Sequence, residues 1–403
     1  MTTAVQPVSA GAQQQVRAIL EVTEGTTPAT DMTVIPHATV TNHLPSTDRS
    51  PTANVSSDLK VVDNPRRSID FSGALTADIT HQGADLLLRS GLNRTADATL
   101  TGLAAQTDVA GVDSGNKFTS ATTDKFNSVT LGVPMFLSGM TTNADGWMVG
   151  NSIVTGASPE LVVSHYDLAD EAATPAVTLA ADGYLTESST FSTLSIEVAD
   201  TDQGFFRIAR GVRVNSIEIS GSKGSDPQYT FNWAAISGDS ATSTYGTGTN
   251  TAATSTTVFD MADNFDLFSV NVAAAGPASS SYLPTEVSLS IKCGDKMIDP
   301  AGQLSKASNY LSRFEVTGSF TLLKNTGAHS LINAVDDDTL GNLFWVWTDG
   351  TYSTAVFLPA IQYTSVSESG SGNDSPLTLT FNFTAKKHAS YGHMIAISKR
   401  TLP

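Results

Sequence analysis

The chain has 403 residues, of which 40% are hydrophobic and only 15% are charged. Its formal net charge of −17 is opposite in sign to that of proteins that grip nucleic acid by neutralising phosphates. The length allows two or three domains, each with a core of its own. Composition therefore predicts a folded acidic protein and argues against a basic nucleic-acid-binding surface.

Abundant Ser, Thr, Val and Gly with few charges predict a strand-rich protein with extensive loops. Cys293 is the single cysteine, so neither an intramolecular disulfide nor a cysteine metal cluster is expected, and its place in an alternating pattern predicts a buried thiol. The opening MTTAVQPVSA lacks the features of a secretory signal, and the apolar run Leu343–Trp347 is too short to cross a bilayer. We expect a soluble protein without a membrane anchor, made in a reducing cytoplasm.

The first part of the chain predicts an arm followed by the beginning of a β module. Residues 1–28 have little periodicity and are interpreted as an N-terminal arm that orders against a neighbour, with terminal disorder as an equal alternative. Within residues 29–116, strands are predicted at Leu59–Asp63 and Arg67–Ile79, and a short helix at Gln82–Ser90. These residues form the first part of module 1.

The middle of the chain predicts an insertion and the completion of module 1. Residues 117–187 contain short strands with glycine turns, which indicate a small inserted β domain. Long alternating strands resume in residues 188–283, around a Ser/Thr/Gly loop at residues 240–257.

Residues 284–403 predict module 2 and a C-terminal arm. The last long strand alternates apolar with polar residues from Leu377 to Thr384. The tail after Ala385 is basic, with Lys386, Lys387, Lys399 and Arg400. It is expected either to pair with the acidic surface of a neighbour or to remain solvated.

An internal repeat links the two halves of the chain. Arg67–Ile79 reads RSIDFSGALTADI and Ser312–Leu322 reads SRFEVTGSFTL, and the apolar positions coincide when Gly73 is placed on Gly318. The second copy is also followed by a predicted short helix, Gly327–Val335. Strict alternation is typical of a strand with one dry and one wet face. We interpret the repeat as the duplication of one structural module.

The sequence contains no convincing catalytic or metal-binding pattern. His388 and His393 do not have the helical i, i+4 spacing of a zinc enzyme. Asp336–Asp338 is better explained as a solvated acidic turn than as a cation site. Asp113–Gly115 reads Asp-Ser-Gly but has no counterpart in the repeat, and no Gly-x-Ser-x-Gly elbow occurs. The sequence therefore predicts a non-enzyme with no cofactor and no metal.

Several segments, in chain order, resemble the tail tube protein of long, flexible-tailed bacteriophages. They are the Gly-centred strand and helix of Arg66–Leu92, the GWMVG and VTG of Gly146–Gly156, the stretch Ser195–Trp233 with GVRVNS, and Val316–Thr321 with VTGSFT followed by Phe357-Leu358-Pro359. Together they span most of residues 56–400, and their order carries the resemblance. The insertion lacks the Asn-Asn-Gly turn of the family, and the long Ser/Thr loop also departs from it.

The resemblance implies a mainly β fold. Duplicated β-sandwich or barrel modules would each pack a short α-helix, and rings of subunits would close into a β-barrel around a lumen. The alternation then assigns polar residues to the lumen: Asp70, Ser72, Thr76, Asp78, Glu315, Thr317, Ser319 and Thr321. It assigns apolar residues to strand-to-helix packing: Phe71, Leu75, Leu86, Leu87, Phe314, Val316, Phe320, Leu331 and Ile332.

The resemblance also implies a structural virion protein that self-assembles into stacked rings, the tail tube through which DNA is ejected into the host. Two modules per chain favour a trimeric pseudo-sixfold ring, and a hexameric ring stays open. Its partners would be further copies of itself, the tape measure protein, and the tail terminator and distal tail proteins. DNA would slide through without specific binding. The protein would be made in the host bacterial cytoplasm and end in the phage tail.

Two other classes of function compete with this interpretation. A β-rich phage tail adhesin or receptor-binding protein would predict exposed aromatic clusters on loops, and the long loops here contain few aromatic residues. A hydrolase or lyase on a β scaffold would need a catalytic constellation that the sequence does not offer.

Overall fold

The structure is a computed structural model. It describes residues 14–41, 44–49, 64–173, 176–190, 192–247, 249–253, 257–271, 282, 284–298, 300–306, 308–325, 328–370 and 376–403. The strand predicted at residues 59–63 and the start of the predicted arm lie outside these ranges. Within them the protein is mainly β, as predicted, with 26 strands and two helices.

The first elements are β1 (Gln14–Leu20), β2 (Thr33–Ile35), β3 (Ala38–Thr41), β4 (Ser46–Arg49), β5 (Arg66–Asp78) and α1 (Asp85–Gly91). A second group is β6 (Leu103–Gln106), β7 (Val109–Val112), β8 (Lys117–Ser120), β9 (Pro134–Ser138), β10 (Gly146–Val154), β11 (Glu160–Ser164) and β12 (Val177–Ala180). The next are β13 (Gly183–Thr186), β14 (Leu194–Asp200), β15 (Phe205–Ser222), β16 (Gln228–Ala235), β17 (Ser237–Ala241) and β18 (Phe265–Asn271). The last are β19 (Pro284–Lys292), β20 (Asp295–Ile298), β21 (Ser308–Leu311), β22 (Glu315–Leu323), α2 (Ala328–Asp336), β23 (Leu340–Thr348), β24 (Tyr352–Ser369), β25 (Thr378–Ala385) and β26 (Ala396–Thr401).

One antiparallel ladder runs through the large sheet in the order β3, β5, β16, β15, β19, β22, β25, β24. Buried and partly exposed residues alternate along its strands, because successive side chains of a strand point to opposite faces. In β25, for example, Leu379, Phe381 and Phe383 are buried and Thr380 and Asn382 are not. The ladder therefore has one apolar face and one polar face.

The strands β15 and β24, each of 18 residues, take part in two layers. The first part of β15 pairs with β14 and β17 and its second part with β16 and β19. In β24, the first part pairs with β23 and β26 and the second with β25. At the start of its second part, each strand has one extra residue relative to its partner. It lies between Val214 and Ser216 in β15 and between Tyr363 and Ser365 in β24. An extra residue of this kind bends a strand, and so the chain can leave one layer for the other.

The apolar face of the ladder is covered by the second layer and by the helices. Phe268 of β18 packs edge-on against Phe320 of β22, with ring centroids 5.6 Å apart. Helix α1 packs on β15 so closely that a Cβ on Gly91 would lie 2.6 Å from Cδ1 of Ile217. Helix α2 packs on β24. A single apolar cluster runs through all of these elements.

Both helices lie close to their predicted positions. Helix α1 begins at Asp85, three residues after the predicted start, because Gln82 has a φ of 61° and cannot continue a right-handed helix. Helix α2 begins one residue later than predicted, at Ala328, whose N–H donates to Oδ1 of Asn325 at 3.1 Å. In the part of the chain that the structure describes, neither helix is long and apolar enough to span a membrane.

A separate seven-stranded sheet in the order β6, β12, β9, β10, β11, β8, β7 lies between α1 and β13 in the chain. It has its own apolar cluster, built around Phe118, Phe126 and Leu137. The sheet begins ahead of residue 117, where the inserted domain was predicted to start, because β6 and β7 are too short for alternation to reveal. β13, within the predicted insertion, pairs instead with β26 of the large sheet.

Both termini of the described chain belong to the large sheet rather than projecting as arms. Residues 14–20, inside the predicted N-terminal arm, form β1 between β14 and β2. The buried Arg17 of this strand forms an ion pair of 2.9 Å with Glu197 of β14. At the other end, β26 pairs with β24 and β13, and Lys399 is buried against the carboxylate of Asp85. That lysine therefore pairs within its own chain. For the tail, the sequence predicted instead a contact with a neighbour or with solvent.

Candidate assembly surface

The main candidate surface is the polar face of the ladder, which we define by its rows of paired residues. One row crosses seven strands at Thr39, Thr76, Thr230, Glu218, Ser290, Thr317 and Thr384. A second row crosses six strands at Asp78, Gln228, Ser220, Ser288, Ser319 and Asn382. Hydroxyl and amide side chains dominate both rows, and all of them are at least partly exposed.

The polar face brings together six of the residues predicted to face a lumen. Thr76 and Asp78 lie on β5, whereas Glu315, Thr317, Ser319 and Thr321 lie on β22, four strands away along the ladder. Their hydroxyls form cross-strand contacts: Oγ1 of Thr76 lies 3.4 Å from that of Thr230, and Oγ1 of Thr321 lies 2.9 Å from that of Thr380. Such pairs stabilise a sheet and leave a hydrophilic surface.

The other two predicted residues, Asp70 and Ser72, form an ion pair and a hydrogen bond. Nζ of Lys306 lies 2.5 Å from Oδ1 of Asp70, and the Ser72 hydroxyl donates to Oδ2 at 2.7 Å. Burial raises the pKa of Asp70, but these two hydrogen bonds outweigh it and hold the pKa below its usual value. The charge of the Asp70 carboxylate is therefore compensated by Lys306.

The residues predicted for packing have apolar surroundings. Fully or almost fully buried are Leu75, Leu87, Val316, Phe320 and Leu331. Partly buried against the same cluster are Phe71, Leu86, Phe314 and Ile332. The ring of Phe71 lies on β17, where a Cβ on Gly238 would be 2.8 Å from its Cδ1. Its partner is therefore a strand of the second layer.

The two halves of the ladder repeat the same local geometry. Gly73 pairs with Trp233 and Gly318 with Phe383, and a Cβ at either glycine would lie within 2.6 Å of the aromatic ring. Beside these pairs, Nδ2 of Asn232 donates to Ser216 at 2.9 Å, and Nδ2 of Asn382 donates to Ser365 at 3.0 Å.

Sequence reasoning had missed this second part of the repeat. Thr230–Trp233 reads TFNW and Thr380–Phe383 reads TFNF, and each follows a Ser-Gly-Ser, at Ser220–Ser222 and Ser369–Ser371. A comparison of the two halves for short identical strings would have found them.

Charge on the polar face is predominantly negative. Besides Asp70 with its partner Lys306, its described charged residues are Asp78, Glu218, Glu286, Glu315 and Lys292. Lys292 pairs with Glu315 at 3.1 Å across neighbouring strands. Three carboxylates therefore remain uncompensated by a cation on this face.

The two ends of the ladder differ in charge. At the end where β5 begins lie the exposed cations Arg49, Arg66, Arg67, Lys292, Arg313, Lys386 and Lys387. Acidic side chains described at that end include Asp48, Asp70, Asp239 and Glu315. At the end where β5 finishes lie Asp78, Asp226, Glu286 and Glu368 with two cations, Lys223 and Lys324. In this acidic protein, one end of the ladder is thus basic and the other acidic.

The edges of the ladder are exposed. β3 pairs with β5 on one side, and the second part of β24, from Tyr363 to Ser369, pairs with β25 on one side. Thr39, Thr41, Ser367 and Ser369 on these edges are exposed. Among the residues that the structure describes, neither edge has a second strand partner. Unpaired backbone groups along an edge are a template for another chain.

The described residues contain no group of three or more His, Cys, Asp or Glu placed to hold a metal ion. Nε2 of His393 donates to the Gly132 carbonyl at 2.8 Å, and burial lowers the pKa of His393. His388 stacks on Tyr391. A cleft of about 250 Å³ between β5 and β15 is lined by Arg66, Phe71 and Arg207 among others, without a nucleophile–base pair. The assembly surface therefore stays the best candidate.

Comparison with known families gives a match over most of the chain. The family model described as "Phage tail tube protein" matches residues 11–385, which is nearly the whole chain. None of the curated protein sequences matches it. The family match spans both halves of the ladder and the inserted sheet.

Proposed function

The chain belongs to the phage tail tube protein family, and we propose that it is the ring-forming subunit of the tube, with the polar face lining the channel. The observation that carries the proposal is a ladder with one apolar and one polar face that ends in two exposed edges. A sheet of this kind is satisfied when copies join edge to edge and close on themselves. Closure with the polar face inward leaves α1, α2 and the second layer on the outside.

The repeat supports a ring of three subunits. The matching glycine–aromatic pairs, Asn–Ser hydrogen bonds and register shifts support a duplicated module. Three chains would then contribute six similar modules to a pseudo-sixfold ring. A ring of six chains is the alternative, and its diameter would be about twice as large.

The charge of the polar face suits a conduit for DNA. A duplex carries one negative charge per about 1.7 Å, and each cation that neutralises a phosphate adds to its affinity. Uncompensated carboxylates at Asp78, Glu218 and Glu286, among hydroxyl groups, deny DNA such contacts. DNA would slide through rather than bind, as its ejection into the host requires.

The charged ends support the stacking of rings into a tube. The basic end of one ring, with Arg66 and Arg67, would meet the acidic end of the next, with Asp226 and Glu286. Oppositely charged surfaces attract and fix orientation. Rings would therefore stack head to tail.

In the phage tail, the tube would enclose the tape measure protein and end at the tail terminator and distal tail proteins. The family match supports a tail location, and the long flexible tail type stays a prediction. An adhesin role is less supported: Phe205 and Tyr310 are the exposed large aromatic residues in the described chain, and they lie on different strands.

Electron microscopy of the purified protein tests the proposal. Hollow rings, alone or stacked, are expected. A monodisperse monomer under all conditions of salt and concentration, or solid spikes, would contradict it.

A further inference from the structure

Resting on the proposed function, we infer how neighbouring subunits join: the second part of β24 pairs with β3 of the next copy, in antiparallel register with Ser369 opposite Thr41. The β15–β19 junction inside the chain is the template, because it joins module 1 to module 2. The junction between chains would join module 2 of one copy to module 1 of the next.

The first half of the argument is that β24 occupies in module 2 the place of β15 in module 1. Both have 18 residues, and both pair their second part with the strand that carries the Thr-Phe-Asn-aromatic sequence. Ser216 pairs with Asn232, and Ser365 pairs with Asn382, each one residue after the register shift. Counting on from there, Ser220 corresponds to Ser369.

The second half is that β3 occupies the place of β19. β3 pairs with β5, and β19 pairs with β22, the two strands that contain the repeated glycine. Thr41 pairs with Ala74, and Ser288 pairs with Ser319. Both Ala74 and Ser319 immediately follow that glycine, so Thr41 corresponds to Ser288.

The register of the new junction follows from these two correspondences. Inside the chain, Ser220 pairs with Ser288 and Gly221 with Val287. Between chains, Ser369 would therefore pair with Thr41 of the next copy.

Neighbouring residues extend the same junction. Gly370 would pair with Val40 of the next copy, because the Ser-Gly of β15 recurs at the end of β24. Further along, Ser216 pairs with Lys292. Lys292 lies opposite Glu315 of β22, and Ser46 lies opposite Asp70 of β5. Glu315 and Asp70 each precede the repeated glycine by three residues, so Ser46 corresponds to Lys292. Ser365 would thus face Ser46.

The intrachain register also fixes the geometry of the closed sheet. From Ala74 the pairing runs through Asn232, Ser216 and Lys292 to Glu315, which is four residues before Ser319, the counterpart of Ala74. The ladder therefore shifts by four residues over four strands. A shift of one residue per strand is also that of the eight-stranded barrel with shear 8, whose strands tilt by about 36°.

The shift of one residue per strand predicts the size of the ring. Three chains give about 24 strands, and with strands about 4.8 Å apart at that tilt the backbone wall is about 45 Å across. Side chains about 5 Å long on each side leave a channel of about 35 Å. Six chains would give a wall about 90 Å across.

A disulfide trap tests the register. The double variant Thr41→Cys/Ser369→Cys places two thiols opposite each other across the proposed junction, at a Cα separation that a disulfide accepts. On mild oxidation, we expect covalent dimers and closed trimers on a non-reducing gel. Covalent oligomers larger than the trimer should not form. The single native cysteine, Cys293, is buried. The unmodified protein should therefore form no disulfide cross-link, and it serves as the negative control.

Two further variants are matched controls. Ser220→Cys/Ser288→Cys traps the template junction and is expected to form a disulfide within one chain, without covalent oligomers. Thr41→Cys/Ser367→Cys is two residues out of register, where partners lie about 7–8 Å apart, and its cross-linking should be at least tenfold weaker.

The outcomes separate this inference from the proposed function. Hollow rings in micrographs with no cross-link at Thr41/Ser369 would overturn the register and leave the tube role standing. Equal cross-linking by the out-of-register pair would also overturn it. Absence of rings altogether would overturn both. If Thr41→Cys/Ser369→Cys does not fold, Ser46→Cys/Ser365→Cys tests the same junction, and its failure to cross-link in intact rings would refute the register.

Discussion

Reversing the charge of the polar face should turn the proposed conduit into a DNA-binding ring. The perturbation is Asp78→Lys together with Glu218→Lys, two carboxylates of neighbouring rows. In a ring of three chains this places six cations around the channel. The eight residues of β16 span about 26 Å, or about 21 Å along the axis at a tilt of about 36°. That length of duplex carries about 12 phosphates.

The expected magnitude follows from counterion release. If all six lysines contact phosphates, the logarithm of affinity should fall with the logarithm of salt with a slope of about −5. Affinity for a short duplex would then drop about 10³-fold between 50 and 200 mM salt. Fluorescence anisotropy of a labelled duplex with purified rings measures this.

Two controls isolate the position of the charge. Asp78→Asn/Glu218→Gln removes the carboxylates without adding cations and should bind little DNA. Asp263→Lys/Asp336→Lys adds the same charge at exposed positions outside the polar face. If the reversed polar face binds DNA no more tightly than this outer control, and with no steeper salt dependence, the assignment of that face to the channel is wrong.

Three further predictions concern packing, acid stability and stacking. Gly318→Val should lower the free energy of unfolding by about 1–3 kcal/mol in denaturant titration, because a Cβ there already meets the ring of Phe383 at 2.6 Å. Burial lowers the pKa of His165 to about 3, so between pH 6.5 and 3 the unfolded chain binds a proton that the folded chain does not. Stability should therefore fall by about 1.4 kcal/mol per pH unit on acidification through this group, and His165→Gln should remove that part of the slope in urea titrations at several pH values. Arg66→Glu/Arg67→Glu should leave rings intact but abolish tubes in light scattering, as 1 M salt should in the unmodified protein. Unchanged tube length in either case would contradict electrostatic stacking.

Alternation predicted the strands β5, β22 and β25 of the ladder, because each has one dry and one wet face. The observed pairings place Gly73 and Gly318 at corresponding positions, as the sequence comparison had aligned them. Each glycine leaves room for an aromatic ring of the neighbouring strand. Burial of Cys293 also agrees with its predicted place on the dry face.

Long-range contacts account for what the sequence did not reveal. Asp70 forms an ion pair with Lys306, which is distant in the chain and lies in the loop between β20 and β21. The terminal strands β1 and β26 gain partners that no local pattern specifies. The bends of β15 and β24 depend on single extra residues, whose effect on topology is visible only in the pairing.

End-on cryo-electron microscopy of the assembled protein tests the central claim most directly. The account predicts a threefold ring with pseudo-sixfold symmetry, a strand wall about 45 Å across, and Thr76, Ser290 and Thr317 facing the hole. A ring whose channel is lined by other residues, or one in which the polar face lies outside, would contradict it.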